Sequence, residues 1–329
     1  MSNKTVFIKL TPESLFFFGG EQGITADYYL KGNFIPQQTA LLGLLRHQIL
    51  IQNKLLKDNK IENDAEAIIW IGASSFNPKD ESQQFGKIEK ISPCYLVVDG
   101  KKHLPYIPDY LDELKSAGGN IYFPKHDPKK RYSVRWKSTE DNSFRFESEL
   151  YEEVERIGVD KNYAGKTQNK SFYKQVWLKM TKGVKVSFAF YASIDQDVSL
   201  ENADVTFGKE SAPFKMEVLD IDESKFKDDS DANAILLTSD AFSGVDLDEL
   251  CTISVSNVIP FRNLNNKTSA DHRFYSLNKH QEWLQLYKRG SVFIPKDPKD
   301  FKTVKTLLDE HKNFRNIGYN HYCQIKLNY

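Results

Sequence analysis

The clearest strand in this chain reads Val184-Lys185-Val186-Ser187-Phe188-Ala189-Phe190-Tyr191. The side chains at 184, 186, 188 and 190 fall on one side of an extended chain, and those between them fall on the other. This period of two predicts a half-buried antiparallel strand. Residues 5–10 near the start, Thr-Val-Phe-Ile-Lys-Leu, alternate in the same way and predict another strand.

Two helices are predicted, one near each end of the chain. The first follows Pro36, which suits the first helical position because its missing N–H would be unpaired there anyway. Its apolar residues recur at helical spacing: Leu41, Leu42, Leu45, Ile49 and Leu56. Gly43 inside this helix is expected to mark a close contact. The second helix covers residues 299–311, and Val304 and Leu308 are among its inward-facing residues.

The remaining pattern predicts a sheet protein with helices at intervals. Residues 87–124 are interpreted as short strands, residues 125–150 as a polar loop, and residues 157–195 as strand, charged hairpin and strand. Further strands are expected at 214–221, 234–237, 251–258 and 321–327. The fold class is therefore α+β, compatible with the ferredoxin-like βαββαβ unit. Two such units would fill 329 residues, with domains at 1–150 and 151–329.

Composition excludes several classes of protein. The chain has 45 basic and 45 acidic residues, so a purely electrostatic nucleic-acid binder is not expected. Cys94, Cys251 and Cys323 are far apart, which argues against a disulfide framework or a structural zinc site. The best apolar stretch, residues 41–51, is too short to cross a bilayer. With no signal-peptide pattern, the sequence predicts a soluble, cytoplasmic protein without a membrane partner.

Charge is unevenly distributed along the chain. Residues 156–185 hold eight basic residues and one acid, whereas residues 195–250 hold 16 acids and four lysines. A second basic cluster is interleaved with Tyr132 and Trp136; it consists of Lys125, Lys129, Lys130, Arg131, Arg135 and Lys137. Such runs are either solvated surfaces or a phosphate track in which the rings stack on bases. The acidic segment 195–250 is a candidate for protein contact.

Signatures of catalysis are sparse. The nucleotide loops GxxxxGK[ST] and GxGxxG are absent, as are the hydrolase motifs HExxH and GxSxG. His47 is either a surface residue of the first helix or a general base for metal-independent RNA cleavage. His321 is either a strand-edge residue or an RNA contact. The acidic run at 228–231 lacks a flanking ligand pattern, so no metal and no cofactor are expected.

Four segments together resemble the RAMP superfamily of CRISPR proteins. Residues 15–20, Leu-Phe-Phe-Phe-Gly-Gly, precede a Pro-x-x-Thr-x-x-Gly-x-x-Arg helix at 36–46. Residues 156–173 resemble the family's hairpin, and residues 207–210, Phe-Gly-Lys-Glu, its Gly-x-Glu turn. Residues 289–293, Arg-Gly-Ser-Val-Phe, and 317–320, Ile-Gly-Tyr-Asn, resemble its Gly-Ser-Val strand and closing glycine turn. The match is best with the Cmr-module subunits that hold the 5′ end of the CRISPR RNA (crRNA) in type III-B complexes.

The resemblance implies two ferredoxin-like (RRM-like) domains with inserted hairpins, and no catalysis by this subunit. The implied partners are the crRNA 5′ tag, the large Palm-domain subunit, the adjacent backbone RAMP subunit and, indirectly, target RNA. The glycine turns at Gly290 and Gly318 are expected to expose backbone N–H groups to an anion. The implied RNA-binding residues are Gln38, Thr39, Arg46, His47, Lys161, Lys166, Lys170, Lys174, Arg289, Ser291, Gly318, Tyr319, Asn320 and His321.

Two alternatives stay open. One is a metal-independent crRNA-processing endoribonuclease of the same superfamily, which would use His47 or His321. The closing turn has a single glycine, Gly318, where RAMP nucleases carry a longer glycine-rich loop, and this favours the structural subunit. The other alternative is a general RNA-binding module outside CRISPR systems.

Overall fold

The computed structural model describes residues 3–19, 28–58, 60–72, 76–106, 114–118, 120–122, 135–141, 143–161, 167–220, 231–261, 264–265, 278–279 and 283–328. Within these ranges the chain forms 24 strands and five helices. The mixture of mostly antiparallel strands and separate helices agrees with the predicted α+β class. No helix in these ranges has both the length and the apolar character needed to cross a membrane.

The elements follow one another along the chain. The strands up to the hairpin are β1 (Asn3–Pro12), β2 (Tyr28–Lys31), β3 (Leu56–Lys57), β4 (Lys60–Ile61), β5 (Ile88–Ile91), β6 (Tyr95–Val98), β7 (Lys101–Tyr106), β8 (Lys115–Ala117), β9 (Asn120–Tyr122), β10 (Arg135–Ser138), β11 (Phe144–Phe146), β12 (Tyr151–Lys161) and β13 (Thr167–Met180). The later strands are β14 (Val186–Asp195), β15 (Ala203–Thr206), β16 (Pro213–Asp220), β17 (Ala234–Leu237), β18 (Cys251–Val255), β19 (Val258–Phe261), β20 (Leu264–Asn265), β21 (Asn278–Lys279), β22 (Leu284–Tyr287), β23 (Val292–Pro295) and β24 (Tyr322–Ile325). The helices are α1 (Gln38–Gln52), α2 (Asp64–Ile71), α3 (Glu147–Leu150), α4 (Pro298–Glu310) and α5 (Lys312–Asn316).

A nine-stranded sheet forms the larger part of the fold. Its strand order is β11-β10-β7-β6-β14-β1-β16-β15, and β5 also pairs with β14. The first strand lies antiparallel between β14 and β16, with Phe7 opposite both Tyr191 and Leu219. These pairings join residues from both sides of position 150, so the sheet does not divide at the predicted domain boundary.

The predicted strand β14 is antiparallel as expected, but the expectation that it is half-buried is wrong. All its residues from 186 to 194 are buried. One face, with Phe188 and Phe190, belongs to the main core. The other face is covered because the rings of Phe7 and Tyr191 pack together at 4.9 Å between centroids. Side chains from neighbouring strands, which the sequence of β14 cannot reveal, therefore bury its second face.

The first helix packs the face carrying Leu41, Leu45 and Ile49 into the main core. It begins at Gln38 after an N-cap at Gln37, so the prediction that Pro36 is its first residue is wrong by two positions. The predicted inward residue at position 56 lies in β3 rather than in the helix. Gly43 is exposed, and a Cβ there would meet nothing within 4 Å, so the expected close contact inside the protein is absent from the described residues.

A four-stranded antiparallel sheet, β18-β23-β17-β24, lies in the C-terminal half. Helix α4 covers one face, where Val304 and Leu308 pack with Leu237 and Phe293. Asp297 caps this helix by accepting a hydrogen bond from the Asp300 N–H, which satisfies one of the unpaired donors of its first turn. The predicted terminal helix and last strand are both confirmed, within three residues at each end.

Candidate functional site

A buried ion pair lies beneath the turn that joins β22 to β23. The Arg289 Nη2 and Nε atoms donate to the two carboxylate oxygens of Asp240 at 2.8 and 3.2 Å, and the Arg289 N–H donates to the same carboxylate at 2.8 Å. Burial alone would raise the pKa of Asp240, but the charge and hydrogen bonds of Arg289 outweigh it and lower this pKa. Arg289 therefore directs two guanidinium N–H groups and its backbone N–H to a partner inside the protein. Ser291 does likewise, because its hydroxyl donates to the Lys288 carbonyl at 2.6 Å.

The closing turn packs against the first helix. Gly318 has a φ of +87°, and a Cβ at this position would lie 2.5 Å from the Ser92 carbonyl oxygen and 2.6 Å from the Gln38 Nε2. The same Nε2 donates to the Gly318 carbonyl at 2.9 Å. Glycine is thus required here because the protein's own chain fills the space where a side chain would stand.

The expectation that the two glycine turns expose backbone N–H groups is wrong. The Gly290 N–H donates to the Leu237 carbonyl at 2.7 Å, and the Gly318 N–H donates to the Arg315 carbonyl at 3.1 Å. A backbone donor that is already hydrogen-bonded cannot bind an anion without breaking that bond. The turns hold the sheet and helices together instead.

Tyr319 and Asn320 lie inside the fold. The Tyr319 ring makes edge contacts with Phe261 and Phe314, each at 5.7 Å between centroids. Burial raises the pKa of the Tyr319 hydroxyl. The Asn320 amide donates to the carbonyls of Phe242 and Leu308 at 2.6 and 3.0 Å and accepts from the Phe242 N–H at 2.8 Å. These contacts anchor the closing turn, and RNA contact by either residue stays a prediction.

The two histidines considered for catalysis have different surroundings. His47 is an exposed residue of α1, consistent with the surface interpretation. His321 places Nε2 3.1 Å from the Arg315 carbonyl, which requires a proton on that nitrogen. Burial lowers the pKa of His321 to about 4. His321 is therefore neutral near pH 7 and hydrogen-bonded within the protein.

Two of the four predicted residues of the first helix, Gln38 and Arg46, are buried. Arg46 is only 7% exposed, and its guanidinium carbon lies 5.7 Å from the centre of the Phe85 ring. Burial lowers the pKa of Arg46 to about 10. Gln38 is fully buried and Thr39 is half-buried. A phosphate contact by Arg46 would require the side chain to leave this position.

The predicted charged hairpin is confirmed as the antiparallel pair β12 and β13. Tyr151 lies opposite Met180 at one end and Val159 opposite Phe172 near the other, after which the register shifts. One of the hairpin's cations is compensated, because Glu155 pairs with Lys174 at 2.6 Å, whereas Glu153 of the same strand pairs with Lys31 of β2 at 2.5 Å. These carboxylates precede the basic run in sequence, so only the strand pairing reveals them. Lys166 and the side chains of Lys161 and Lys170 lie outside the described residues.

Sequence reasoning missed an exposed aromatic surface at the edge of the large sheet. Phe144 and Phe146 lie on β11, within the segment interpreted as a loop, and are 40% and 38% exposed. The alternation Phe-Arg-Phe at 144–146 is the signal that would have indicated this strand. Trp136, considered for base stacking, is instead fully buried in the main core.

Metal-binding groups are not gathered among the residues the structure describes: no set of three His, Cys, Asp or Glu side chains converges there. Asp231 pairs with Lys326 at 3.4 Å, and positions 228 and 229 lie outside the described ranges. Cys94, Cys251 and Cys323 are all buried. Burial raises the pKa of both Cys94 and Cys251 to about 12, so these two are unreactive packing residues.

Comparison with known proteins gives a fold relationship. No family model matches the chain, and no curated protein matches its sequence. Among solved structures, a chain of the type III-B Cmr-beta complex bound to cognate target RNA and AMPPnP matches with a TM-score of 0.54 and 15% identity, over 97% of this chain and 96% of that one. A second, from the same complex bound to cognate target RNA, has a TM-score of 0.54 and 14% identity over 96% of each chain. The chain therefore shares its fold, over nearly its whole length, with chains of that complex.

Proposed function

We propose that this chain is a non-catalytic RNA-binding subunit of a type III-B CRISPR effector complex, in which it holds the 5′ tag of the crRNA. The observation that carries the proposal is the fold match, which spans 97% of this chain and 96% of a Cmr-beta chain. The RAMP-like motifs support it separately, because they occur in order from residue 15 to residue 320.

Two ferredoxin-like domains are the architecture that fits this role. The first would use β1, α1 and the central strands of the large sheet, with α1 packed on one face. The second would use the sheet β18-β23-β17-β24 with α4 on one face. The Gln38 contact with Gly318 ties the two units together. A fixed relation between two RNA-binding units would hold a short single strand in a defined path.

The partners would be the large Palm-domain subunit and the adjacent backbone RAMP subunit, which this chain would bridge. The acidic segment 195–250 presents exposed carboxylates for such contacts: Glu201, Asp204, Glu210, Asp246, Asp248 and Glu249. Complementary charge on a partner would speed assembly and select the correct neighbour. Target RNA would be reached only through the crRNA.

A structural role for His321 supports the absence of catalysis by this subunit. Its Nε2 carries the proton that it donates to the Arg315 carbonyl, so this nitrogen is not available to take a proton from an RNA 2′-hydroxyl. The variants His47→Ala and His321→Ala should leave target cleavage by the assembled complex within threefold of wild type. A loss beyond tenfold with assembly intact would overturn the non-catalytic assignment.

The decisive experiment recovers the affinity-tagged chain from its native cells. The expected result is co-purification of several other proteins together with short RNAs that share one constant 5′ sequence. RNAs of unrelated sequence would favour a general RNA-binding module. In a second arm, the purified chain is incubated with CRISPR repeat RNA in EDTA, and specific cleavage there would make it a processing endoribonuclease instead.

A further inference from the structure

Three strands at one end of the large sheet place aromatic and basic side chains in two adjacent rows. Across β11, β10 and β7, Phe146 lies opposite Arg135, which lies opposite Tyr106. In the neighbouring row, Phe144 lies opposite Lys137. Directly paired residues of antiparallel strands share a face. We call these five residues the edge patch.

The edge patch is open to solvent at its outer end. Phe144 and Phe146 are 40% and 38% exposed, although a phenylalanine of a sheet usually packs against another layer. Trp136, between the two cations of β10, points to the opposite face and is fully buried. The two phenylalanine rings therefore face away from the main core. Adjacent large apolar side chains left in water on one face mark a binding surface.

Cations are interleaved with these rings. The Arg135 guanidinium carbon lies 5.0 Å from the centre of the Phe144 ring, and the Lys137 Nζ lies 4.6 Å from the Tyr106 ring and 5.9 Å from the Phe144 ring. In the described part of the chain, no carboxylate pairs with Lys137. By contrast, Lys101 on the opposite face of β7 pairs with Asp141 at 2.5 Å. Lys137 therefore keeps its positive charge at the patch, whereas the charge of Lys101 on the opposite face is neutralised by Asp141.

A ligand that fits must carry flat rings and negative charge together. Single-stranded nucleic acid does so in every residue, because each base can stack on an aromatic ring while its phosphate meets a cation. Phe144 and Phe146 are two residues apart on one strand, so their rings are about 7 Å apart along it. That separation is comparable to the step between nucleotides of an extended single strand. An apolar protein surface would gain nothing from the unpaired lysine.

We infer that the edge patch is a stacking site for two successive bases of single-stranded RNA, independent of their sequence. Phe144 and Phe146 each take one base, and Lys137 neutralises a phosphate beside them. RNA rather than DNA is named because the inference rests on the proposed function. It adds to that function a second contact, outside the closing turn and the hairpin, along which the RNA leaves the tag-binding region.

The test uses the purified full-length chain and fluorescein-labelled decauridylate, which contains no tag sequence. The double variant F144A/F146A should bind this RNA at least tenfold more weakly than wild type, since each base–ring contact contributes about five-fold or more. The variant F144L/F146L keeps apolar bulk in the sheet and removes the planar rings, so it should show the same loss with the fold preserved. The matched control I68A/I69A removes two exposed apolar side chains from α2 and should bind as wild type does.

Two further variants locate the RNA at the patch. F144W should show tryptophan quenching on addition of decauridylate that exceeds the change in the wild-type chain. K137A should lower the slope of log affinity against log salt by about 0.7, the value for one phosphate contact on a single strand. K101A removes the same charge from a paired lysine and should leave the slope unchanged.

Equal RNA binding by wild type and F144L/F146L would overturn the inference. It would also be overturned if the F144A/F146A variant lost a co-purifying protein subunit while its RNA binding stayed unchanged, because the patch would then be a protein interface. Either result would leave the proposed function standing, because that function does not depend on the edge patch. That proposal fails separately, if the RNA recovered with the tagged chain lacks a constant 5′ sequence.

Discussion

The side-chain amide of Gln38 donates a hydrogen bond to the main-chain carbonyl of Gly318, 280 positions further along the chain, with 2.9 Å between the two atoms. The bond joins the first turn of α1 to the closing turn that precedes β24. Both Gln38 and Gly318 are buried. Gly318 accepts this contact because its backbone adopts a φ of +87°, and because it has no side chain to meet Ser92.

Gly318→Ala should therefore destabilise the protein strongly. The left-handed backbone costs an alanine about 1–2 kcal/mol, and the added Cβ would also press on Ser92 and Gln38, for a total of about 3 kcal/mol or more. Gly183→Ala is the matched control, because Gly183 has a φ of +88° with nothing within 4 Å of a Cβ. Urea unfolding of both variants measures the difference. Equal losses would show that the contact with Ser92 relaxes freely.

Substitution in the buried pair of Arg289 and Asp240 should also lower the free energy of unfolding strongly. Asp240→Asn removes the carboxylate charge and leaves the Arg289 guanidinium buried without compensation, which costs about 3–5 kcal/mol. Glu217→Gln provides the control, because Glu217 pairs with Lys9 at 2.6 Å in a partly exposed position, where such pairs contribute about 1 kcal/mol or less. A loss in Asp240→Asn no larger than in Glu217→Gln would contradict the role assigned to the buried pair.

Local sequence patterns predicted individual strands and helices. Which side chains are buried or ion-paired depends on the pairing between strands that are distant in sequence. The alternation at residues 184–191 predicted β14 correctly, because period two is a property of the strand itself. Its second face is buried by Phe7, which lies in β1 and comes into contact only through register. In the same way, the basic run after residue 155 left both a solvated surface and a phosphate track open, and the sequence could not show that its Lys174 pairs with Glu155 across the hairpin.

At the candidate site too, contacts between distant residues could not be predicted from the sequence around the glycines. The sequence identified Gly290 and Gly318 as turns, which the structure confirms with φ values of 80° and 87°. It could not reveal their neighbours, because the Ser92 carbonyl beside Gly318 and the Leu237 carbonyl that accepts the Gly290 N–H are distant in sequence. Phe144 and Phe146 were missed for a different reason: β11 has only three residues, too few for alternation to stand out from a polar segment.

Acid should destabilise the protein partly through His321. Its pKa is lowered to about 4 in the folded state, from an ordinary value of 6.5. Between these values the unfolded chain binds more protons, so stability is fully present above about pH 6.5 and falls as the pH decreases toward 4. The loss attributable to this group is up to about 3 kcal/mol. His321→Gln should flatten the dependence of unfolding free energy on pH in this window, and an unchanged dependence would contradict the assignment.

The hairpin gives the last prediction, which concerns RNA rather than stability. Lys174 is held by Glu155 at 2.6 Å, so as a phosphate contact it must first give up this partner. Glu155→Gln removes that competition and a negative charge beside the RNA path. If the hairpin follows the crRNA, as the RAMP resemblance implies for its lysines, this variant should bind crRNA several-fold more tightly. Its log–log salt slope should become steeper by about 0.7, because one more phosphate is neutralised.

Glu217→Gln makes the same change of charge beside Lys9, on the large sheet, and should leave both quantities as in wild type. Fluorescence anisotropy titrations at salt concentrations from about 50 to about 300 mM measure the affinity and its salt slope together. Phosphate contacts change the affinity strongly over a range of this order. An increase shared equally by the two variants would reflect net charge alone. An increase in affinity and slope confined to Glu155→Gln would mean that the ion pair with Glu155 competes with RNA for Lys174. A phosphate would then contact this lysine only after displacing the carboxylate.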